Sequence, residues 1–166
     1  MEFSGEVVAG RFFTGIQGLQ FAAPAALEGL AGLAGTSALD AAVYWMSAAD
    51  PASLAGVGLE GLKGSLPSRL PTTHIVFRGG APVLVSRRNG LDLDFRIPAD
   101  DPMIPRCLEF VRVLTEREAA PLRSVHVETV NGEPAARSPY APAMLAFGFV
   151  ADYKWLTFRG GFSASP

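Results

Sequence analysis

The clearest structural pattern in the sequence is VHVETVNGEP at residues 125–134, followed by SPYAPAMLAFGF at residues 138–149 and DYKWLTFR at residues 152–159. The first stretch is rich in β-branched residues and runs into an Asn-Gly pair, which is typical of a strand that enters a turn. The second is a short apolar run that begins with prolines and ends at a glycine. This order predicts a strand, a polar turn, a short capped helix and a second strand.

The first half of the chain predicts a mixture of short strands and one helix. Residues 6–14 and 19–22 contain β-branched and aromatic residues on either side of glycines, which favours a hairpin. Leucines at helical spacing after Pro24 predict a helix that ends near Gly35. The apolar run at residues 42–46 is typical of a buried strand.

The middle of the chain predicts a loop, three strands and an amphipathic helix. Residues 54–71 hold many glycines and prolines and predict an ordered loop. Strands are predicted at residues 74–77, 82–85 and 91–97, and Asn89-Gly90 indicates a hairpin turn between the last two. Residues 105–118 carry apolar side chains at helical spacing against charged ones, which predicts a helix with one side in solvent.

Composition limits the function classes. The 166 residues are 49% hydrophobic and 18% charged, which suits one domain over residues 1–166. The net charge of −2 gives no general attraction for nucleic acid, so any binding must come from a local patch. One cysteine, Cys107, and two histidines predict neither a disulfide nor a zinc site, and no cofactor is expected. A cytoplasmic location is expected, and no apolar run is long enough to span a membrane.

Four stretches together resemble the accessory region that follows the motor domains of large helicase-related (Lhr-type) superfamily 2 DNA helicases. They are GRFFTGIQGLQFAAPAAL at residues 10–27, SAADP at 47–51, RGGAPV at 78–83, and VNGEP at 130–134 with SPYAP at 138–142. The second is also distantly similar to a motif of YcaQ/AlkZ-type DNA glycosylases. Leu19 stands where the Lhr family often has Glu, and Trp155 stands where it often has Gly.

The resemblance implies a non-catalytic accessory domain that contacts single-stranded or forked DNA or RNA and works with helicase motor domains of the same or another chain. The order of the predicted elements favours an α+β fold with a strongly twisted, mostly antiparallel sheet, open or closing toward a small barrel, and about three helices. A protein-interaction scaffold without affinity for nucleic acid is the remaining non-enzymatic alternative.

The enzymatic alternative is a glycosylase-like module that uses Asp50, since base excision can use a carboxylate. Asp50 followed by Pro51 is also a good helix N-cap and first-turn pair, and this structural role is the favoured interpretation. His74 and His126 each begin a predicted strand, away from any serine or cysteine expected to act as a nucleophile. Acid–base catalysis by either histidine is therefore not predicted.

Candidate nucleic-acid contacts fall in two places. Arg87 and Arg88 are the first choice, because they precede the predicted Asn89-Gly90 turn, where long cationic side chains can reach phosphates. Trp155 can stack on a base and has Lys154 beside it and Arg159 nearby. Trp45 lies in an apolar run and is expected in the core.

We predict that this chain neither binds nor hydrolyses ATP, because it has no glycine-rich phosphate-binding loop with an adjoining lysine and a hydroxyl for magnesium. Residues 58–63, GLEGLK, are only superficially similar to such a loop. ATP hydrolysis above a protein-free blank that one substitution in this chain abolishes would contradict the prediction.

Overall fold

The computed structural model describes residues 5–12, 17–33, 42–57 and 64–160. Within these ranges the fold is α+β, as predicted, with three α-helices and eleven strands in mostly antiparallel sheets. The helices are α1 (Pro24–Leu33), α2 (Ile104–Glu116) and α3 (Ala141–Phe147). The strands are β1 (Val8–Gly10), β2 (Gln20–Ala22), β3 (Val43–Ser47), β4 (His74–Arg78), β5 (Ala81–Arg87), β6 (Asp92–Phe95), β7 (Ser124–Val127), β8 (Thr129–Val130), β9 (Glu133–Pro134), β10 (Val150–Asp152) and β11 (Trp155–Arg159).

The largest sheet has six strands in the order β3-β4-β5-β6-β8-β9. Its neighbouring strands are antiparallel except for the parallel pair of β6 and β8. In the described part of the chain β3 and β9 do not pair with each other. The sheet is therefore open, and the small barrel that the sequence analysis allowed is not formed.

The first described elements are the predicted hairpin and helix. β1 pairs antiparallel with β2, and the Gln20 side chain accepts a hydrogen bond from the Phe12 amide at 2.8 Å. α1 begins at the predicted proline, Pro24. Its predicted end near Gly35 lies outside the described residues.

The predicted amphipathic helix is α2, and its apolar side lies at the centre of the core. Cys107, Leu108, Val111 and Leu114 are each at most 2% exposed. The ring of the buried Phe110 packs against rings that come from β3 and β4. The centroid distances are 6.2 Å to Trp45 and 5.9 Å to His74. The hydrophobic period of the sequence thus predicts correctly which side of the helix is buried.

The apolar run at residues 42–46 forms β3, but the prediction of a buried strand was wrong. β3 is an edge strand, because in the described structure it pairs only with β4. Trp45 faces α2, whereas Tyr44 points to the opposite side and is 44% exposed. The apolar side chains of β3 therefore alternate between two environments. Trp45 packs against α2 in the core, and Tyr44 lies on the opposite, solvent-facing side of the sheet.

The predicted Asn89-Gly90 turn joins β5 to β6. Arg88, Asn89 and Gly90 have φ angles of 52°, 56° and 101°, a left-handed run that asparagine and glycine tolerate best. A Cβ atom at Gly90 would overlap Cγ1 of Val125 on β7. Glycine is therefore required both by the backbone angle and by the close approach of the turn to β7.

Asp50 forms the expected capping interaction, but on a turn and not on a helix. Its Oδ1 accepts a hydrogen bond from the Ala52 amide at 2.8 Å, and its carbonyl accepts one from the Ser53 amide at 2.9 Å. No helix follows within residues 51–57. The described parts of the predicted loop, residues 54–57 and 64–71, hold no helix or strand, as expected.

The C-terminal pattern forms the predicted strands, turn and short helix. β10, β11 and β7 make a three-stranded antiparallel sheet in that order. α3 ends at Gly148, which has a φ of 123°. A proline lies in its first turn, no side chain caps its start, and the Ser138 hydroxyl donates to the Ala135 carbonyl. None of the helices in the described ranges combines the length and apolar character needed to cross a membrane.

The buried His74 predicts that stability falls in mild acid. Burial lowers the pKa of His74 below its ordinary value of 6.5, and the charge of Arg117 lowers it further. The unfolded chain therefore takes up the proton first, and the free energy of unfolding decreases as the pH drops below about 6.5. Thermal melts at about pH 7.5 and about pH 5.5 measure this loss. His74→Phe keeps a ring against Phe110 and removes the titrating group, so its loss on acidification should be smaller.

His126→Asn is the matched control, because it removes the other histidine from an exposed position. Because this variant keeps His74, its melting temperature should fall more on acidification than that of His74→Phe. Equal acid losses in the wild type and in His74→Phe would contradict the role of His74.

The Asp50 turn predicts a graded effect of substitution on stability. Asp50→Ala removes the acceptor for the Ala52 amide and should lower the free energy of unfolding by about 1 kcal/mol, whereas Asp50→Asn keeps an acceptor and should cost little. Urea titrations measure both. An unchanged stability of Asp50→Asn together with loss of base excision from damaged DNA would instead favour the glycosylase alternative.

Candidate nucleic-acid interface

One face of the three-stranded sheet buries apolar side chains, and the other carries polar and aromatic ones. On β11, Leu156 and Phe158 are buried, while Trp155 and Arg159 are exposed on the opposite side. Alternation along a strand and direct pairing across strands define which side chains share this outer face. We name this surface the β11 face, and it comprises Ser124, His126, Val150, Asp152, Trp155, Thr157 and Arg159.

The turn between β10 and β11 places an aromatic ring and a cation beside Trp155. Asp152 pairs with Trp155 across the hairpin, so only Tyr153 and Lys154 form the connection. Tyr153 has a φ of 49° and is 91% exposed. The Lys154 Nζ lies 5.5 Å from the centre of the Tyr153 ring. The hairpin end therefore presents a ring and a positive charge to solvent.

A chain of hydrogen bonds holds the imidazole of His126 next to Trp155. His126 Nε2 lies 2.9 Å from the Ser124 hydroxyl, and Nδ1 lies 3.0 Å from the Thr157 hydroxyl. The imidazole packs edge-on against the Trp155 ring, with centroids 6.3 Å apart and planes at 72°. Because both nitrogens are engaged, the imidazole is fixed in orientation and supports one side of the tryptophan.

His126 was not predicted to lie near a serine arranged as a nucleophile, and the structure places the Ser124 hydroxyl 2.9 Å from its Nε2 atom. Ser124 and His126 stand two residues apart on one strand, and this spacing puts both on the same face. The spacing of Ser124 and His126 is visible in the sequence. Their contact with Thr157 is not, because it depends on the pairing of β7 with β11. A threonine hydroxyl orients the imidazole without the negative charge by which a carboxylate stabilises an imidazolium. The arrangement thus favours positioning over nucleophilic catalysis.

The hairpin formed by β10 and β11, called the β11 hairpin below, carries two cations without a carboxylate partner in the described structure. Lys154 and Arg159 form no ion pair with any residue that the structure describes. Asp152, opposite Trp155, is the only carboxylate among the residues that define the β11 face. Charges without a nearby partner keep their attraction for an external anion.

Arg87 and Arg88 lie at the predicted hairpin end, but carboxylates surround them. Arg88 donates to both oxygens of Asp92, at 2.6 and 2.7 Å, and also pairs with Glu128 at 3.6 Å. Arg87 pairs with Asp94 at 3.5 Å. The hydrogen bond from Arg88 holds the pKa of Asp92 below its usual range. Within the described residues, no hydrogen bond, ion pair or ring contact joins this cluster to the β11 hairpin.

The remaining candidates have structural roles in the described structure. Trp45 is half-buried against Phe110, as predicted for a core residue. Asp50 is an exposed turn residue that accepts the Ala52 amide. Burial and the charge of Asp101 raise the pKa of Cys107 to about 11, which keeps its thiol protonated and unreactive near neutral pH.

No cluster of metal-ligating side chains occurs within residues 5–12, 17–33, 42–57 and 64–160. The structure brings Lys154, Trp155 and Arg159 together on one hairpin and adds His126, which the sequence analysis missed.

Comparison of the whole chain with protein-family models and with curated proteins finds no match in either set.

Proposed function

We propose that this chain is a non-catalytic accessory domain that binds single-stranded nucleic acid through the β11 face, in partnership with a helicase motor of the type that its sequence resembles. The observation that carries the proposal is the exposed Trp155 with two cations on the same strand and turn, Lys154 and Arg159, which form no ion pair with the described residues.

Trp155 supplies the sequence-independent part of the contact. It is 45% exposed, so part of its ring is open to a base, and His126 supports it from the side. Stacking of a base on an aromatic side chain stabilises binding by roughly 1–3 kcal/mol and does not select among bases. The exposed Tyr153 in the adjacent turn offers a second ring.

Lys154 and Arg159 flank Trp155 along the strand. A β-strand rises about 3.3 Å per residue, so the Cα atoms of Trp155 and Arg159 are about 13 Å apart. A strand of nucleic acid that stacks on Trp155 therefore has a cation near the ring and another further along the sheet. Phosphate contacts of this kind fix position without reading sequence.

The same surface predicts weak binding with a shallow salt dependence. Two phosphate contacts to a single strand correspond to a slope of log K against log salt of about −1.4. The net charge of −2 adds no long-range attraction. An accessory domain that guides a strand for a motor needs only such weak, sequence-tolerant contact.

We predict that Arg159→Ala weakens binding of a labelled oligothymidylate and makes the salt slope shallower by about 0.7, because one phosphate contact is lost. Trp155→Ala should weaken binding with little change in slope, because stacking is not a phosphate contact. Fluorescence anisotropy at several salt concentrations measures both effects.

Arg106→Ala is the matched control, because Arg106 is an exposed arginine on α2, away from the β11 face. It should leave affinity and slope unchanged. If the double variant Arg87→Ala/Arg88→Ala lowers affinity more than Arg159→Ala, the contact lies at the β5–β6 turn. No binding at low salt would favour a protein-interaction scaffold.

A further inference from the structure

A cavity of about 270 Å³ lies on the side of the six-stranded sheet that faces away from α2. Strands β3 to β5 and the turn between β4 and β5 form its floor. The segments around residues 52–54 and 65–66 form its walls. The described lining residues are Tyr44, Met46, Ala52, Leu54, Ser65, Leu66, Phe77, Gly80 and Pro82.

Two stacked aromatic rings dominate the floor. Tyr44 and Phe77 are directly opposite each other on β3 and β4, with ring centroids 5.3 Å apart and planes at 15°. Pro82 on β5 pairs with Phe77 and extends the same surface. Tyr44 remains 44% exposed, so its ring is accessible from the cavity side. The floor is thus largely apolar and spans three strands, and the stacked pair leaves an outer ring face on which a further ring can pack.

Hydrogen bonds and apolar contacts hold the described walls against the rest of the fold, so the cavity is formed before a ligand binds. Arg96 donates a hydrogen bond to the Ser65 carbonyl at 2.5 Å, and Arg69 donates one to the Asp50 carbonyl at 2.9 Å. Leu66 packs with Phe77 on the small core cluster of Ala48, Ala55 and Ile75. A preformed site loses less conformational freedom when a ligand binds.

The chemistry of the described lining selects one class of ligand. None of these nine residues carries a formal charge near neutral pH, so a charged ligand would lose its hydration without a partner. The side chains offer only the hydroxyls of Tyr44 and Ser65 as polar groups, too few for a sugar with many hydroxyls. The volume lies just below the range of roughly 300–1,000 Å³ that is usual for ligand sites.

We infer that this cavity binds a small, flat, uncharged ring compound that stacks on the Tyr44–Phe77 pair. The inference is independent of the nucleic-acid contact proposed for the β11 face, because none of the lining residues belongs to that face. Apolar contact with the floor provides the attraction, and the narrow volume limits the ligand to one ring or two fused rings.

The test uses indole as the probe, followed by amide chemical shifts of the full chain. Indole should shift the amides of Ala52, Leu54 and Leu66, which lie in the walls. Tyr44→Ala removes half of the stacked floor and should weaken indole binding about tenfold. Ala52→Phe fills the cavity from a position that is exposed in the fold and should abolish binding without disturbing the core.

Leu145→Ala is the matched control, because Leu145 is an equally exposed apolar residue, on α3. It should leave indole binding unchanged. Benzoate, a charged ring of similar size, should bind far more weakly than indole. Any one of three results would overturn the inference: no wall shifts with indole, equal binding of benzoate, or full binding by Ala52→Phe. Concentration-dependent self-association that Tyr44→Ala removes would instead identify a second copy as the occupant.

Discussion

Burial of the apolar side of α2 is the interaction on which the rest of the described fold depends. Phe110 and its neighbours contact the six-stranded sheet through Trp45 and His74, while the same helix also packs against β7 and α3. One helix therefore joins the two larger sheets into a common core. Apolar burial is the main favourable term in folding, so loss of this helix would separate the surfaces that both proposals use.

The same packing explains why function is expected on the outer faces. Val125 and Val127 of β7 and Leu156 and Phe158 of β11 fill the core from one side of the three-stranded sheet. The residues of the opposite side do not belong to this core, and Trp155 and Arg159 remain exposed there. Contiguous exposed apolar surface often marks an interaction site, and the exposed Tyr153 and Trp155 lie two residues apart at this hairpin end.

Local sequence pattern predicted the elements whose partners are close along the chain. The β5–β6 hairpin follows from Asn89-Gly90, and the buried side of α2 follows from the spacing of its apolar residues. The edge position of β3, the parallel pairing of β6 with β8 and the joining of β7 to β11 depend on contacts between distant residues. Periodicity carries no information about such pairings, because it reports the faces of one element and not its neighbours.

The candidate site also combines features that the local sequence predicts with features that depend on contacts between distant residues. The sequence predicted Lys154, Trp155 and Arg159 as candidates that are close along the chain, but the face that Trp155 and Arg159 share and the role of His126 followed only from the strands of the folded chain. The ion pairs of Arg88 likewise join residues from three different segments, including Glu128. A cation that looks free in a sequence is therefore judged correctly only when its spatial neighbours are known.

The contact between Gly90 and Val125 has a consequence for how sequence change at the β5–β6 turn is tolerated. Any side chain at position 90 must displace Val125, which precedes His126 on β7. Where the β7 backbone shifts to make room, His126 moves with it, because it is the next residue of the strand, and its imidazole supports Trp155. A substitution at position 90 would thus change the β11 face without contacting it. Position 90 therefore restricts which sequences are tolerated at the β5–β6 turn and, through β7, on the β11 face.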